Sequence, residues 1–144
     1  LKADYVVVDA SVILKWVLPY ETEEHMAEAY ELRDRYGSGQ LEIRLPTLWA
    51  YEIGNTVNRL DSRHAGDLVD DLISCGFRER RLDRSLAALA SKLCQKYKVT
   101  FYDACYHAVA LEDGGVFVTA DNQYISKARQ AGGIVSLKDF ADRI

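Results

Sequence analysis

Two short runs of the chain, Tyr5-Val6-Val7-Val8 and Val116-Phe117-Val118, are apolar and rich in β-branched side chains, and each leads within three residues to an aspartate and then to a helix-like stretch. Runs of this kind suit strands buried on both faces. Segments with apolar residues spaced by three and four separate them, so strands and helices alternate along the chain. That alternation predicts an α/β fold with a parallel sheet covered by helices on both sides and joined by right-handed crossovers. In such a fold, ligands meet the protein beyond the C-terminal ends of the strands, where the strand order switches. The residues that close the two apolar runs, Asp9 and Asp121, are therefore the first to weigh.

The remaining elements follow from the same pattern. A short helix is predicted over 11–17, ended near Pro19, and a longer one over about 22–36, closed by Gly37-Ser38-Gly39. Leu41 to Leu45 reads as a strand leading to Pro46-Thr47, where Thr47 can cap a helix that reaches about Leu60. Further helices are predicted over about 64–74 and over 84–97, the latter carried by Leu86, Leu89, Ala90, Leu93, Cys94 and Tyr97, with a short strand near 77–82 between them. Thr100 begins another helix to about Glu112, and Gly114-Gly115 turns the chain. After the second apolar run come a helix over about 122–131, a Gly132-Gly133 turn, a strand at 134–136 and a final helical piece. No repeat or long linker interrupts the 144 residues, which are read as one domain spanning 1–144.

Several classes are excluded early. No apolar run approaches the roughly 18 residues of a membrane helix, and the first residues lack a cleavable signal pattern, which predicts a cytoplasmic protein. The three cysteines, Cys75, Cys94 and Cys105, are odd in number and form no C-x-x-C pair, so a disulfide framework and a zinc ribbon are both disfavoured. Each is expected to be a reduced core residue. The net charge of −4 is distributed unevenly, −7 over residues 1–77, +5 over 78–98 and −2 over the rest. The basic stretch holds Arg78, Arg80, Arg81, Arg84, Lys92, Lys96 and Lys98, and by itself reads as a solvated face.

Each acidic candidate has an ordinary structural explanation. Asp9 and Asp121 stand where helix N-caps stand. Asp103, three residues after Thr100, fits a capping box. Glu52 lies about five residues beyond Thr47, past the reach of a cap, and an ion pair with Arg59 explains it most simply. Taken together the four are harder to dismiss, because carboxylates rarely occupy apolar strand ends and apolar helices unless paired or metal-bound. Two unit charges 4 Å apart repel by about 4 kcal/mol at an effective dielectric near 20, so gathering four calls for a cation. All-oxygen, anionic donors suit Mg²⁺ or Mn²⁺. Such ions activate water and neutralise phosphoryl oxygens, and phosphodiester hydrolysis then needs no protein nucleophile.

At these residues the sequence resembles the PIN-domain family, in particular VapC-type toxins of toxin–antitoxin pairs. Val7-Val8-Asp9-Ala10-Ser11-Val12 is similar to the family's first motif, Tyr51-Glu52-Ile53-Gly54-Asn55 to the second, Thr100-Phe101-Tyr102-Asp103-Ala104 to the third and Thr119-Ala120-Asp121-Asn122 to the fourth. The resemblance implies a three-layer PIN-like fold with a central five-stranded parallel sheet of order 3-2-1-4-5. It implies a metal-dependent endoribonuclease acting on single-stranded RNA, a homodimer, and a small VapB-like antitoxin as partner. By carry-over, Asp9, Glu52, Asp103 and Asp121 are the catalytic set, with Asp9 and Asp103 as direct ligands of Mg²⁺ or Mn²⁺. Thr119 and Ser11 match hydroxyl positions beside the family's site.

Given that reading, the 78–98 stretch becomes a candidate RNA-backbone path. Tyr51, Tyr102, Tyr106 and Tyr124 become candidates for base stacking, although core packing is the simpler role for most of them. His107 shares a helix face with Asp103 and is best read as a satisfied structural histidine. Two rivals stand beside the nuclease. A phosphatase of the haloacid-dehalogenase kind begins with Asp-x-Asp, whereas Ser11 stands two residues after Asp9. A non-catalytic RNA-binding or interaction module would have no use for the full acidic set.

Overall fold

The computed structural model describes residues 5–18 and 24–143. The predicted helix end at Pro19 and the first residues of the predicted helix at 22 lie outside the described residues. In chain order the elements are β1 (Val6–Val8), α1 (Ala10–Val17), α2 (Met26–Gly37), β2 (Arg44–Pro46), α3 (Trp49–Leu60), α4 (Ala65–Ser74), β3 (Arg78–Arg80), α5 (Arg84–Tyr97), α6 (Phe101–Asp113), β4 (Val116–Thr119), α7 (Asn122–Ala128), β5 (Ile134–Ser136) and α8 (Phe140–Arg143), with 3₁₀ turns after α7 and before α8.

The strands are short and all pairings are parallel. β1 pairs with β4 in the register Val6↔Val116, and β4 with β5 in the register Phe117↔Ile134. β2 pairs separately with β3, Arg44 opposite Arg78. The expected single five-stranded sheet is thus divided into a three-stranded sheet, β1-β4-β5, and a two-stranded one, β2-β3. Between the two lies a single bridge, Val6 to Ile43, with the Val6 N–H donating to the Glu42 carbonyl at 3.0 Å. The bridge falls on Ile43, the residue before β2, so β1 meets this segment only at its first residue, whereas equally short strands elsewhere pair over three rungs.

α6 is the central helix. Seven consecutive residues, Ala104 to Ala110, are buried, as expected of a helix enclosed all round. It packs on β1, β2 and β4, with α5 on its other side. Thr100 caps it, its hydroxyl accepting the Asp103 N–H at 3.2 Å, and Gly114 ends it at a φ of 75°. The next residue, Gly115, runs so close to the ring of Tyr5 that a Cβ would stand 2.5 Å from it. This closeness and the 2.7 Å bond from Tyr5 Oη to the Val109 carbonyl fix β1 against the end of α6.

Local expectations were corrected in three places. Thr47 does not cap α3. Its N–H donates to the Arg80 carbonyl, and the helix begins two residues later from Leu48 without a side-chain cap. Glu52 consequently sits in the first turn of α3, where the helix dipole favours a carboxylate. Cys75 is exposed, while Cys94 is half-buried and Cys105 buried, because α4 ends in a surface turn at Gly76.

Candidate functional site

β1 and β4 are neighbours, so the residues that follow them share one edge of the sheet. The Asp9 N–H donates to the Val118 carbonyl at 3.0 Å, locking the two strand ends together. Asp9 occupies the N-cap position of α1, but its side chain caps nothing. Instead its Oδ2 accepts two hydroxyls, from Thr119 Oγ1 at 2.7 Å and Ser11 Oγ at 2.8 Å. Those hydroxyls are themselves fixed by the backbone: Thr119 Oγ1 accepts the Asp121 N–H at 3.0 Å, and Ser11 Oγ accepts the Ala120 N–H at 3.3 Å.

Asp9 is only 7% exposed. Its carboxyl is pushed up to about 6, chiefly because burial disfavours its charge; the two hydroxyls pull the other way, and the negative charges of Asp103 and Glu52 add to the rise. Burial likewise raises the carboxyl of Glu52, opposed by the Tyr106 phenol and reinforced by Asp103. Burial raises Asp103 too, against a hydrogen bond to Thr100 and with a contribution from Asp121. The fields of the four acids therefore overlap in sequence around the site. Every lowering influence on these three is a hydrogen bond; none is a cation.

The ion pair proposed between Glu52 and Arg59 is not found among the described residues, where no lysine or arginine bridges any of the four acids. Glu52 Oε1 instead accepts from Tyr106 Oη at 2.7 Å. Asp121 does act as a cap: its Oδ1 receives the N–H groups of Gln123 and Tyr124 at 3.0 and 3.1 Å. No three His, Cys, Asp or Glu side chains among the described residues stand in a ready metal-binding arrangement. Uncompensated carboxylates that repel one another hold apart. The donor chemistry nevertheless fits a hard divalent cation, being all oxygen, anionic and, among the described residues, without a competing ammonium or guanidinium.

Two buried side chains of α6 stand beside the site: the Tyr106 bond to Glu52 was not anticipated, whereas His107 is the satisfied structural histidine that the sequence suggested. Tyr106 is fully buried, stacks on Phe117 with centroids 6.1 Å apart, and holds Glu52 in place. Its place one helical turn after Asp103 was the available signal. His107, also fully buried, joins α6 to the first turn of α7 and to the Gly132 turn beyond it: Nε2 lies 2.7 Å from the Gly132 carbonyl and Nδ1 2.9 Å from Tyr124 Oη. Because a carbonyl can only accept, Nε2 carries the proton, and the Tyr124 hydroxyl donates to Nδ1. Tyr106 and Tyr124 are thus core residues, whereas Tyr51 and Tyr102 are 83% and 61% exposed and remain open to a ligand.

Residues 6–130 match the family model of the PIN domain. The chain belongs to the PIN domain family. Among curated proteins no sequence match is found. Solved structures similar to this PIN domain include a toxin–antitoxin complex from Klebsiella pneumoniae, with 14% identity, a TM-score of 0.67 and coverage of 92% of this chain and 97% of that one. DNA-bound VapBC from Salmonella typhimurium gives 16% identity, a TM-score of 0.67 and coverage of 92% and 98%. VapC20 from Mycobacterium tuberculosis, a toxin described as cleaving the sarcin–ricin loop, gives 16% identity, a TM-score of 0.61 and coverage of 84% and 93%. At these identities the likeness is one of fold. No helix among the described residues of this PIN domain is long and apolar enough to cross a membrane.

Proposed function

We propose that this PIN domain is a metal-dependent endoribonuclease for single-stranded RNA, the toxin of a VapBC-type pair, restrained by a small antitoxin and acting as a homodimer. The whole of residues 1–144 serves as one catalytic domain, with the split sheet read across its bridge in the order 3-2-1-4-5. The observation that carries the proposal is the Asp9 carboxylate, buried at a strand end, faced by the charges of Asp103 and Glu52 and neutralised by no side-chain cation among the described residues. That arrangement costs stability unless a cation arrives. The toxin–antitoxin neighbours of like fold support the choice of reaction class.

Asp9 and Asp103 would hold Mg²⁺ or Mn²⁺. When bound, the ion supplies an activated water and charge for the phosphoryl oxygens. Thr119 and Ser11 keep Asp9 ionised and oriented, Tyr106 does the same for Glu52, and Asp121 holds the start of α7 while adding negative field at Asp103. Glu52 and Asp121 would orient the attacking water, act through water or help hold a second ion.

The decisive measurement is cleavage of mixed single-stranded RNAs with Mg²⁺, with Mn²⁺ and with chelator. Cleavage that chelator stops supports the proposal. Metal binding without any cleavage would favour a non-catalytic RNA-binding module, and turnover of small phosphate esters alone would favour another phosphoesterase.

Thr119→Val keeps the shape of a fully buried side chain but removes its hydroxyl. With one hydrogen bond fewer, the Asp9 carboxyl rises further, so the acidic limb of the pH–rate profile moves to higher pH. Stability falls by about 1–2 kcal/mol, since the Asp121 N–H also loses its acceptor. Activity should drop more at pH 6 than at pH 8. A profile that keeps its shape would show that this hydroxyl does not tune Asp9.

A further inference from the structure

Beyond β5 the surface opens into a cleft of about 700 Å³. Its inner wall is formed in part by Thr119 and Ala120, which bond to Asp9 and Ser11; none of the four acids lines it, so the cleft adjoins the carboxylate site through those two residues. Its outer wall carries Arg129, at the end of α7, Lys138, in the 3₁₀ turn after β5, and Arg143, on α8. All three are exposed, and no carboxylate pairs with any of them among the described residues. The one acid on this wall, Asp139, is engaged locally by the Ser136 hydroxyl at 3.0 Å.

This concentration of positive charge is out of keeping with a chain whose net charge is −4. The basic stretch at 78–98 lines no part of this cleft, and two of its seven cations are already engaged. Arg80 is already clasped by Glu112 and Asp83, and Arg78 lies 3.7 Å from Glu42. Guanidinium and ammonium groups that have no carboxylate partner among the described residues, and that lie along a groove bordered by the Thr119 bonded to Asp9, match a polyanion that runs past the carboxylate site.

We propose that the cleft beyond β5, walled by Arg129, Lys138 and Arg143, holds the phosphate backbone of single-stranded RNA on one side of the cleavage point. The proposal rests on the nuclease reading for the direction of the strand, but its test measures binding apart from cleavage.

Binding of a fluorescent ten-nucleotide mixed-sequence RNA is measured in chelator over a range of salt, for the wild type, for R129A/K138A/R143A and for R80A/R81A/R84A. Three lost phosphate contacts reduce the slope of log K against log salt by about 2 in the first variant, at about 0.7 per contact for a single strand. Affinity in about 0.1 M salt falls at least tenfold, and the second triple loses less. If the wild type cleaves RNA, the first variant raises KM for this RNA with kcat within about twofold of wild type.

The substituted positions are exposed, and the single change Lys138→Glu, which should also weaken binding, guards against an effect of misfolding. Unchanged salt slope and KM in a folded R129A/K138A/R143A variant would overturn the cleft while leaving a cleaving nuclease intact. A reduced slope in a protein that cleaves nothing would keep the cleft and remove the nuclease. Wild type that binds no RNA in chelator, or a variant that loses only an acidic peptide such as oligoglutamate, would also overturn the proposal.

Discussion

Asp9→Asn abolishes metal-dependent RNA cleavage and, in the same protein, raises the melting temperature of the metal-free form. The two effects share one cause. The amide keeps an oxygen for the Thr119 and Ser11 hydroxyls but removes the charge that a metal requires and that burial opposes. Loss of a few kcal/mol of electrostatic stabilisation at the metal corresponds to a rate decrease of about 10³-fold or more. For stability, the Asp9 carboxyl titrates at about 6 in the folded protein against an ordinary 3.8.

Between these values the folded state binds more protons than the unfolded chain, so wild-type stability falls as pH rises through that window and the penalty is complete above it. Two units at 1.36 kcal/mol each put the largest gain on substitution at about 3 kcal/mol. For a chain of this size that is an upper shift of roughly 10 °C. The gain should be seen at pH 7.5 in chelator and should shrink towards pH 4. A folded variant that still cuts RNA would end the proposed role of Asp9, and a metal-free variant that melts below wild type at pH 7.5 would show that the buried charge is not a burden.

His107→Ala is expected to cost about 3–4 kcal/mol, near the cost of emptying a buried aromatic site and leaving polar partners without bonds. The ring stacks against Phe117 with centroids 5.6 Å apart, and its two nitrogens tie Tyr124 and Gly132 to α6. Removing it frees the first turn of α7 and the Gly132 turn from the helix that carries Asp103, so cleavage should fall at least tenfold even at a temperature where the variant is folded.

The pH dependence has the opposite sign to that of Asp9. Burial pushes His107 below its ordinary value, with the Gly132 carbonyl pulling the other way, so the folded protein keeps the ring neutral. As pH falls below about 6.5 the unfolded chain takes up a proton that the native state refuses, and stability drops. The alanine variant loses this slope. Calorimetry at pH 5.5 and 7.5 reads it directly. A variant that melts within a degree or two of wild type would show that the histidine bridges nothing of consequence.

Much of this architecture was legible because its information is local. The apolar runs of β1 and β4, the α5 bounds at Arg84 and Tyr97, the Thr100 cap and the strand at 134–136 all come from neighbouring residues acting on one another. The division of the sheet was not legible, because whether β1 holds β2 by one rung or several depends on twist and register between segments some 35 residues apart. The start of α3 was misplaced since Thr47 has the chemistry of a cap but its N–H is taken by Arg80 on another strand.

The same contrast runs through the candidate site. The acids were visible as residue types in unusual settings, and so were the hydroxyls of Ser11 and Thr119. The phenol that holds Glu52 was not, because Tyr106 and Glu52 lie 54 positions apart and either one has a simpler local explanation.

The pair of hydroxyls on Asp9 also breaks a symmetry. A carboxylate offers two equivalent oxygens, and in water nothing distinguishes them. Here Thr119 and Ser11 both give their protons to Oδ2, and each is committed to do so, since a backbone amide already fills its accepting side. Among the described residues no donor reaches Oδ1. The chain has therefore decided in advance which of the two oxygens is left without a donor, and it is that one, not its twin, that would be free to meet a cation.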